Sequence, residues 1–149
     1  MRHDDLADVN CSVARTWAVV GERWTMLVLR ELFRGRRRFE VIQDQLGLGR
    51  SVLTDRLRTL VEHGVVVREP YQDSPRRHEY RLTPKGEDLY PLLVAMIRWG
   101  DRWSTDGDPP VVLEHRGCGH EVDLRLACPA CDRDLGRRDV TAVFAPDAW

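Results

Sequence analysis

At Gly64 the hydrophobic period of this chain changes, and few folds accommodate the change. Up to Glu62 the apolar residues recur at three- and four-residue spacing. VVVREPY (65–71) is instead rich in β-branched and aromatic residues, and HEYRL (78–82) alternates. QDSPRR, between them, has turn chemistry, so the stretch predicts a β-hairpin whose basic tip carries Arg76 and Arg77. Helical spacing then returns. Thr83-Pro84 starts a new helix with proline at the first helical position, where its missing N–H costs nothing. A hairpin inserted among helices makes this an α+β chain.

The helices before the hairpin are short and individually legible. Cys11 to Val20, with Val13, Trp17 and Val20 at helical spacing, reads as a first helix capped by Asn10 and broken at Gly21. Glu22 to Phe33 is mostly apolar and predicts a buried central helix ended by Gly35. Phe39 to Leu46 gives a third helix through Phe39, Ile42 and Leu46. The turn Gly47-Leu48-Gly49 leads into a fourth, RSVLTDRLRTLVEHG, stopped at Gly64 as a C-terminal glycine should stop it. Val52, Leu53, Leu57, Leu60 and Val61 are its expected buried face. After the hairpin, Leu89, Leu92, Leu93, Met96, Ile97, Trp99 and Trp103 line one long helix that Pro91 should kink. STDGDPP is a linker. The remainder is Gly-rich and Cys-bearing, with VVLEH, EVDLRL and VTAVF expected as strands, and no internal repeat is evident. The organisation expected is a helical and hairpin domain over 9–103 and a small β-rich module over 104–149.

At 149 residues the chain is long enough for one good core with a small appendage. Its longest apolar-rich run, WTMLVLRELF, is too short to span a bilayer and contains an Arg–Glu pair. The stretch MRHDDLADVN is acidic and lacks the apolar centre of a secretion signal. A cytoplasmic protein with reduced thiols is therefore expected. The net charge of −1 conceals an asymmetry. Residues 34–81 hold eleven Arg against seven acids, whereas 101–149 hold six Arg against ten. Phosphate binding depends on local field rather than on the total, so the basic middle is a usable nucleic-acid footprint.

Helix, helix, helix, tight turn, helix, hairpin, helix is the order of a winged helix-turn-helix. The Gly-containing turn sets the fourth helix at a steep angle and projects its N-terminal end. That end carries Arg50, Ser51 and Thr54, followed by Asp55 and Arg58, a mixture suited to base edges and phosphates. The hairpin adds Arg76 and Arg77, within reach of a phosphate or the minor groove. A charged outer face alone is ordinary solvation. Two basic elements, the helix end and the hairpin tip, on one ordered scaffold point to double-stranded DNA.

The stretches CSVARTWAVVGERWTMLVLRELFRGRRRFEVIQDQLG, SVLTDRLRTLVEHGVV and YRLTPKGEDLYPLL resemble the HxlR family of bacterial winged-helix regulators, relatives of the MarR family. The resemblance covers about residues 9–103. It implies a homodimer that binds a roughly palindromic operator and represses transcription in answer to a small molecule or a redox or electrophile signal. A dimer also suits the apolar stripe from Leu89 to Trp103, which with Trp17 exceeds what a domain of this size needs to bury alone. The other reading of that stripe is intramolecular core. Cys11 matches a cysteine of the family that senses oxidants or electrophiles in several members. A helix N-terminus would favour its thiolate, and the alternative is a small inert buried residue.

Three cysteines remain, in HRGCGHEVDLRLACPACDRDL. Cys128-Pro129-Ala130-Cys131 has the gap of a zinc knuckle, and Cys118 with His120, or with His115 instead, would complete a four-ligand structural zinc site. The competing readings are a reduced cysteine cluster used for dimer contacts or a ligand pocket, and a thiol oxidoreductase built on CPAC. The last needs a βαβ context that the flanks do not offer. No nucleophile, base and orienting acid assemble for hydrolysis, so no enzyme is expected. A winged helix serving protein interaction without DNA binding is the remaining alternative.

Overall fold

The computed structural model describes residues 3–148, with side chains from residue 6 onward. By compactness the chain divides into a unit ending at Tyr90 and a unit spanning Pro91–Pro146.

The first unit opens with a 3₁₀ segment, His3–Asp8, followed by α1 (Ser12–Val20), α2 (Thr25–Phe33), α3 (Phe39–Leu46) and α4 (Arg50–Glu62). The hairpin β1 (Val66–Asp73) and β2 (Arg76–Leu82) follows, then the short α5 (Pro84–Glu87). Cys11, rather than Asn10, occupies the N-cap of α1, with no side-chain capping bond, and α2 begins at Thr25 behind a turn, later than Glu22. The third and fourth helices start and stop where periodicity places them, because glycines punctuate them. Gly47 closes α3 in the left-handed conformation, φ 62°, which L side chains adopt only at a cost.

The core of this unit is one cluster: Val20 of α1, Val28, Leu29 and Leu32 of α2, Ile42 of α3, Leu48 of the turn, Leu53, Leu57 and Leu60 of α4, and Val65-Val66 at the start of the hairpin. Burying a leucine side chain of this kind stabilises by about 1.5–3 kcal/mol. The buried face of α4 is narrower than expected. Val52 and Val61 lie at its margins and are exposed, and only the leucine row faces inward.

Glu31 on α2 is fully buried, which a carboxylate tolerates only when paired. Arg30 meets it at 2.7 Å, Arg36 donates to its other oxygen, and Arg34 lies at 3.7 Å. Burial pushes its carboxyl upward, but the hydrogen bonds and charges of Arg36 and Arg30 outweigh that and hold it below the ordinary value. The segment Arg34–Arg38 is thereby tied to the core. It continues as a third edge of the hairpin: the Tyr80 amide donates to the Arg37 carbonyl at 2.7 Å, and Arg38 bridges Glu79. One buried carboxylate thus fixes the wing against the helices.

Thr83 ends the hairpin as expected, accepting from the Gly86 amide at 3.2 Å and donating to the Gly64 carbonyl at 2.7 Å. The single kinked helix expected after it is two helices. α5 stops at Glu87, and α6 (Tyr90–Trp103) starts afresh with Pro91 in its first turn, where proline disrupts nothing.

In the second unit, α6 buries Leu93 and Val94 but leaves Leu92, Met96, Trp99 and Trp103 exposed. The stretches VVLEH, EVDLRL and VTAVF do not form strands. Their place is taken by two turns closed by the isolated bridges Glu114↔Glu121 and Ala127↔Asp134, and by a 3₁₀ segment, Arg137–Asp139. The reason is physical: none of residues 104–146 is buried, so no core exists for an alternating strand to cover.

Candidate nucleic-acid interface

The N-terminal half of α4 and the hairpin face each other across an open groove of about 740 Å³. Of the residues singled out from sequence, Arg50, Thr54, Arg76 and Arg77 line it together. Arg50 is the first residue of α4, and its guanidinium stacks on Phe39 at 4.9 Å, which restrains a long side chain in a projecting position. Thr54 donates its hydroxyl proton to the Arg50 carbonyl at 2.8 Å, so its methyl group and oxygen lone pairs are what it can offer a ligand. Arg76 follows the Ser74-Pro75 turn directly, opposite Asp73, and Arg77 pairs with Gln72; both side chains are exposed at the tip.

The remaining residues of α4 divide differently. Ser51 is exposed in its first turn but does not line the groove. Asp55 and Arg58 are paired with each other at 2.9 Å, and Arg58 also approaches Glu62 at 3.8 Å, so both are occupied on the helix surface away from the groove. Exposed pairs of this kind exchange readily for phosphate because they are worth about 0.2–1 kcal/mol.

Several groove residues escape a reading of the sequence. Arg38, Arg68, Tyr71 and His78 also line the groove, beside Phe39, Val41, Tyr80 and one carboxylate, Glu40. Arg38 stacks on Tyr71 at 4.9 Å, linking the segment before α3 to β1, and Arg68 contacts His78 Nδ1 at 3.1 Å across the hairpin. Desolvation, and then the positive charges of Arg68 and Arg76, hold the His78 imidazole below its ordinary value. The Arg68 and Arg76 charges act on this imidazole in the same direction as its desolvation. Five arginines around one groove supply charges that match a phosphate backbone, and α4 supplies a rod of the width a major groove admits.

Residues 19–108 match the family model described as HxlR-like helix-turn-helix. The chain belongs to the HxlR family. It is 47% identical to the HTH-type transcriptional regulator Rv3095 of Mycobacterium tuberculosis over 91% of its own length and 86% of that protein's. To the regulator sll1512 of Synechocystis it is 40% identical over 62% of its length and 70% of that protein's. Among solved structures, PA1607, a transcription-factor candidate, superposes with a TM-score of 0.85 at 39% identity, covering 93% of this chain and 98% of that one. The redox regulator HypR in its oxidised form superposes with a TM-score of 0.59 at 32% identity, covering 65% of this chain and all of that one. This HxlR-family chain is therefore a winged helix-turn-helix transcriptional regulator that binds DNA, and not an enzyme. The oxidoreductase reading of CPAC falls with that. Among the described residues, no helix is long and apolar enough to cross a membrane.

Cys11 lies half-buried at the N-cap of α1. Of the candidate zinc ligands, His115 Nδ1 and Cys118 Sγ are 3.1 Å apart, and Cys128 and Cys131 share one turn closed by the Asp132 amide donating to the Cys128 carbonyl at 2.8 Å. The amides of Ala130 and Cys131, followed by the Cys131 side chain, hold the Cys128 thiol below its ordinary value. His120 is exposed, and its carbonyl accepts from the His115 amide at 2.8 Å. Among the described residues, no three such side chains form one cluster.

Proposed function

We propose that this regulator is a homodimeric, cytoplasmic repressor that reads a palindromic operator with α4 and grips flanking phosphates with the wing. The groove shared by Arg50, Thr54, Arg76 and Arg77 carries this reading. Arg50 and Thr54 are placed for base edges, the arginines at the tip for phosphate, and Ser51 for a phosphate beside the helix start. Two copies of α4 in a dimer address half-sites about one helical turn, roughly 34 Å, apart. Support for the dimer comes from apolar rows without cover in the single chain: Val13 and Trp17 on α1, and Met96, Trp99 and Trp103 on α6, the last two 64% and 66% exposed. Such a row at helical spacing suits a symmetric helix–helix contact.

The effector is a small molecule or an oxidant, and Cys11 is the thiol through which the latter acts. Its position at a helix N-terminus and the likeness to a redox regulator support that assignment. The decisive experiment is anisotropy titration of DNA from upstream of the protein's own gene against random DNA over a salt series, with and without diamide. Specific binding that weakens on oxidation in the wild type and not in Cys11→Ser supports the whole proposal. Equal affinity for both DNAs at every salt concentration defeats sequence recognition and leaves a winged-helix interaction module.

A further inference from the structure

The two turns of the second unit are copies of one backbone template thirteen residues apart. In each, the amide of the first residue donates to the carbonyl five residues on: His115 to His120 at 2.8 Å, Cys128 to Arg133 at 3.0 Å. The fifth amide returns to the first carbonyl, Gly119 to His115 at 2.7 Å and Asp132 to Cys128 at 2.8 Å. An outer bond closes each loop, Val122 to Leu113 at 2.7 Å and Leu135 to Leu126 at 2.8 Å, beside the equivalent bridges Glu114↔Glu121 and Ala127↔Asp134. The fifth residue is left-handed in both, Gly119 at φ 72° and Asp132 at φ 52°. Asp132 is the one non-glycine residue with positive φ among those described, so the template is kept there by a residue that adopts this conformation less readily than glycine.

Position by position, the first and fourth residues of the two turns are His115 and Cys118, Cys128 and Cys131. These are the donor types, at the spacing, from which zinc knuckles are made. An independent observation concerns what holds the segment together. Across residues 104–146 no side chain is buried, and a piece of chain of this size without a core needs a metal, disulfides or a partner to persist.

We infer that His115, Cys118, Cys128 and Cys131 form a structural site for one divalent zinc ion, two donors from each turn. The repeat decides between the histidines: His120 is the counterpart of Arg133, outside the ligand positions, whereas His115 is the counterpart of Cys128. The imidazole already lies against Cys118, Cys128 and Cys131 share one turn, and the ion draws the two pairs into one tetrahedron. Among the described residues no three such side chains form one group, so the site closes as the ion binds and the thiols release their protons. The inference is independent of how the first unit reads DNA.

The test uses the full chain prepared reduced, without chelator, with elemental analysis and titration by Zn²⁺ and Co²⁺. About one zinc per chain and the absorption of tetrahedral thiolate-bound cobalt are expected. Cys118→Ser, His115→Asn and Cys128→Ser with Cys131→Ser should each lose zinc or alter the cobalt spectrum, and His120→Asn should do neither. On the wild type, chelation should open residues 104–146 to trypsin while the first unit stays resistant, and Zn²⁺ should restore protection. Neither zinc nor cobalt bound by reduced protein overturns the site. So does a Cys128–Cys131 disulfide, seen by mass, that alone confers the protection. Loss of metal in His120→Asn with retention in His115→Asn overturns the ligand assignment.

Discussion

The first unit and the segment 104–146 solve the problem of staying folded in opposite ways. From α1 to the hairpin, buried aliphatic side chains from four helices and a strand interlock around Leu29, Ile42, Leu53 and Leu57. Across residues 104–146 nothing is buried, and order resides in backbone hydrogen bonds around two donor-bearing turns. A core tolerates no polar group without a partner but leaves its surface free, so the first unit can spend its outside on a groove rich in arginine. A segment without a core has surface only, and its order depends on whatever links its turns. The two regions should therefore respond to the same perturbations in different ways.

The largest difference should come from deleting apolar side chains. Leu57→Asp places a carboxylate in the centre of the core and should abolish folding of the first unit, and Leu57→Ala should cost about 2–5 kcal/mol in urea unfolding. The same truncation at the exposed Leu126 should stay within about 0.5 kcal/mol. Comparable losses at both positions would mean that residues 104–146 share a core with something outside the single chain.

Next comes the buried carboxylate. Glu31→Ala should destabilise by about 1–3 kcal/mol, because it removes the acceptor of Arg30 and Arg36 and frees the segment that pairs with the wing. The folded-state value of Glu31 is lowered, so its contribution is complete above the ordinary 4.5 and is lost as pH falls through the lowered value. Glu31→Gln should flatten that acid limb of the stability profile, and a profile unchanged from wild type would remove Glu31 from this role.

Within the groove, α4 and the wing can be separated. Arg50→Ala with Thr54→Ala should cost about 1–3 kcal/mol per half-site on operator DNA and blur sequence preference. Arg76→Ala with Arg77→Ala should weaken operator and random DNA nearly alike and reduce the salt slope by about 2. Anisotropy over a salt series distinguishes the two patterns. A helix pair silent on both DNAs, in a protein that still melts like wild type, would make α4 scaffolding.

How much of this was visible in the sequence follows the same division. The starts and stops of α3 and α4, the hairpin and its tip, and the Thr83 cap were legible because glycine, proline and hydrophobic period act locally. Arg38 was not, because it joins the groove only after the chain segment held by Glu31 pairs with β2, and Arg68 was not, because its side of the sheet is set by the pairing of β1 with β2. The expected kink at Pro91 assumed a continuous helix, whereas the break at Asp88-Leu89 makes that proline a helix starter. The strands assigned near the C-terminus had the right composition and no core to cover. The repeat was present as LEHRGC and LACPAC, thirteen residues apart, but only the leucine and the second cysteine coincide. Backbone geometry, rather than identity, exposes it.

The smallest effect expected is a gain, and it lies in the segment without a core. Asp132 occupies the left-handed position that Gly119 occupies in the sister turn. A left-handed non-glycine residue costs about 1–2 kcal/mol, and glycine there gives part of that back through its freer unfolded chain. Asp132→Gly also removes one of the two carboxylates on Arg125, but Asp134 keeps that guanidinium paired and the lost contact is exposed. The net should be stabilisation of the turn by about 0.5–1 kcal/mol. It should appear as slower amide exchange at Asp132 and Cys128, whose amides close the turn, with no change at Gly119 or in the unfolding of the first unit. Gly119→Ala is the converse: it forces the cost on the other turn and should speed exchange there alone. If Asp132→Gly instead accelerates exchange, the carboxylate contributes more to the turn than its backbone conformation takes away, and the two turns differ in what closes them.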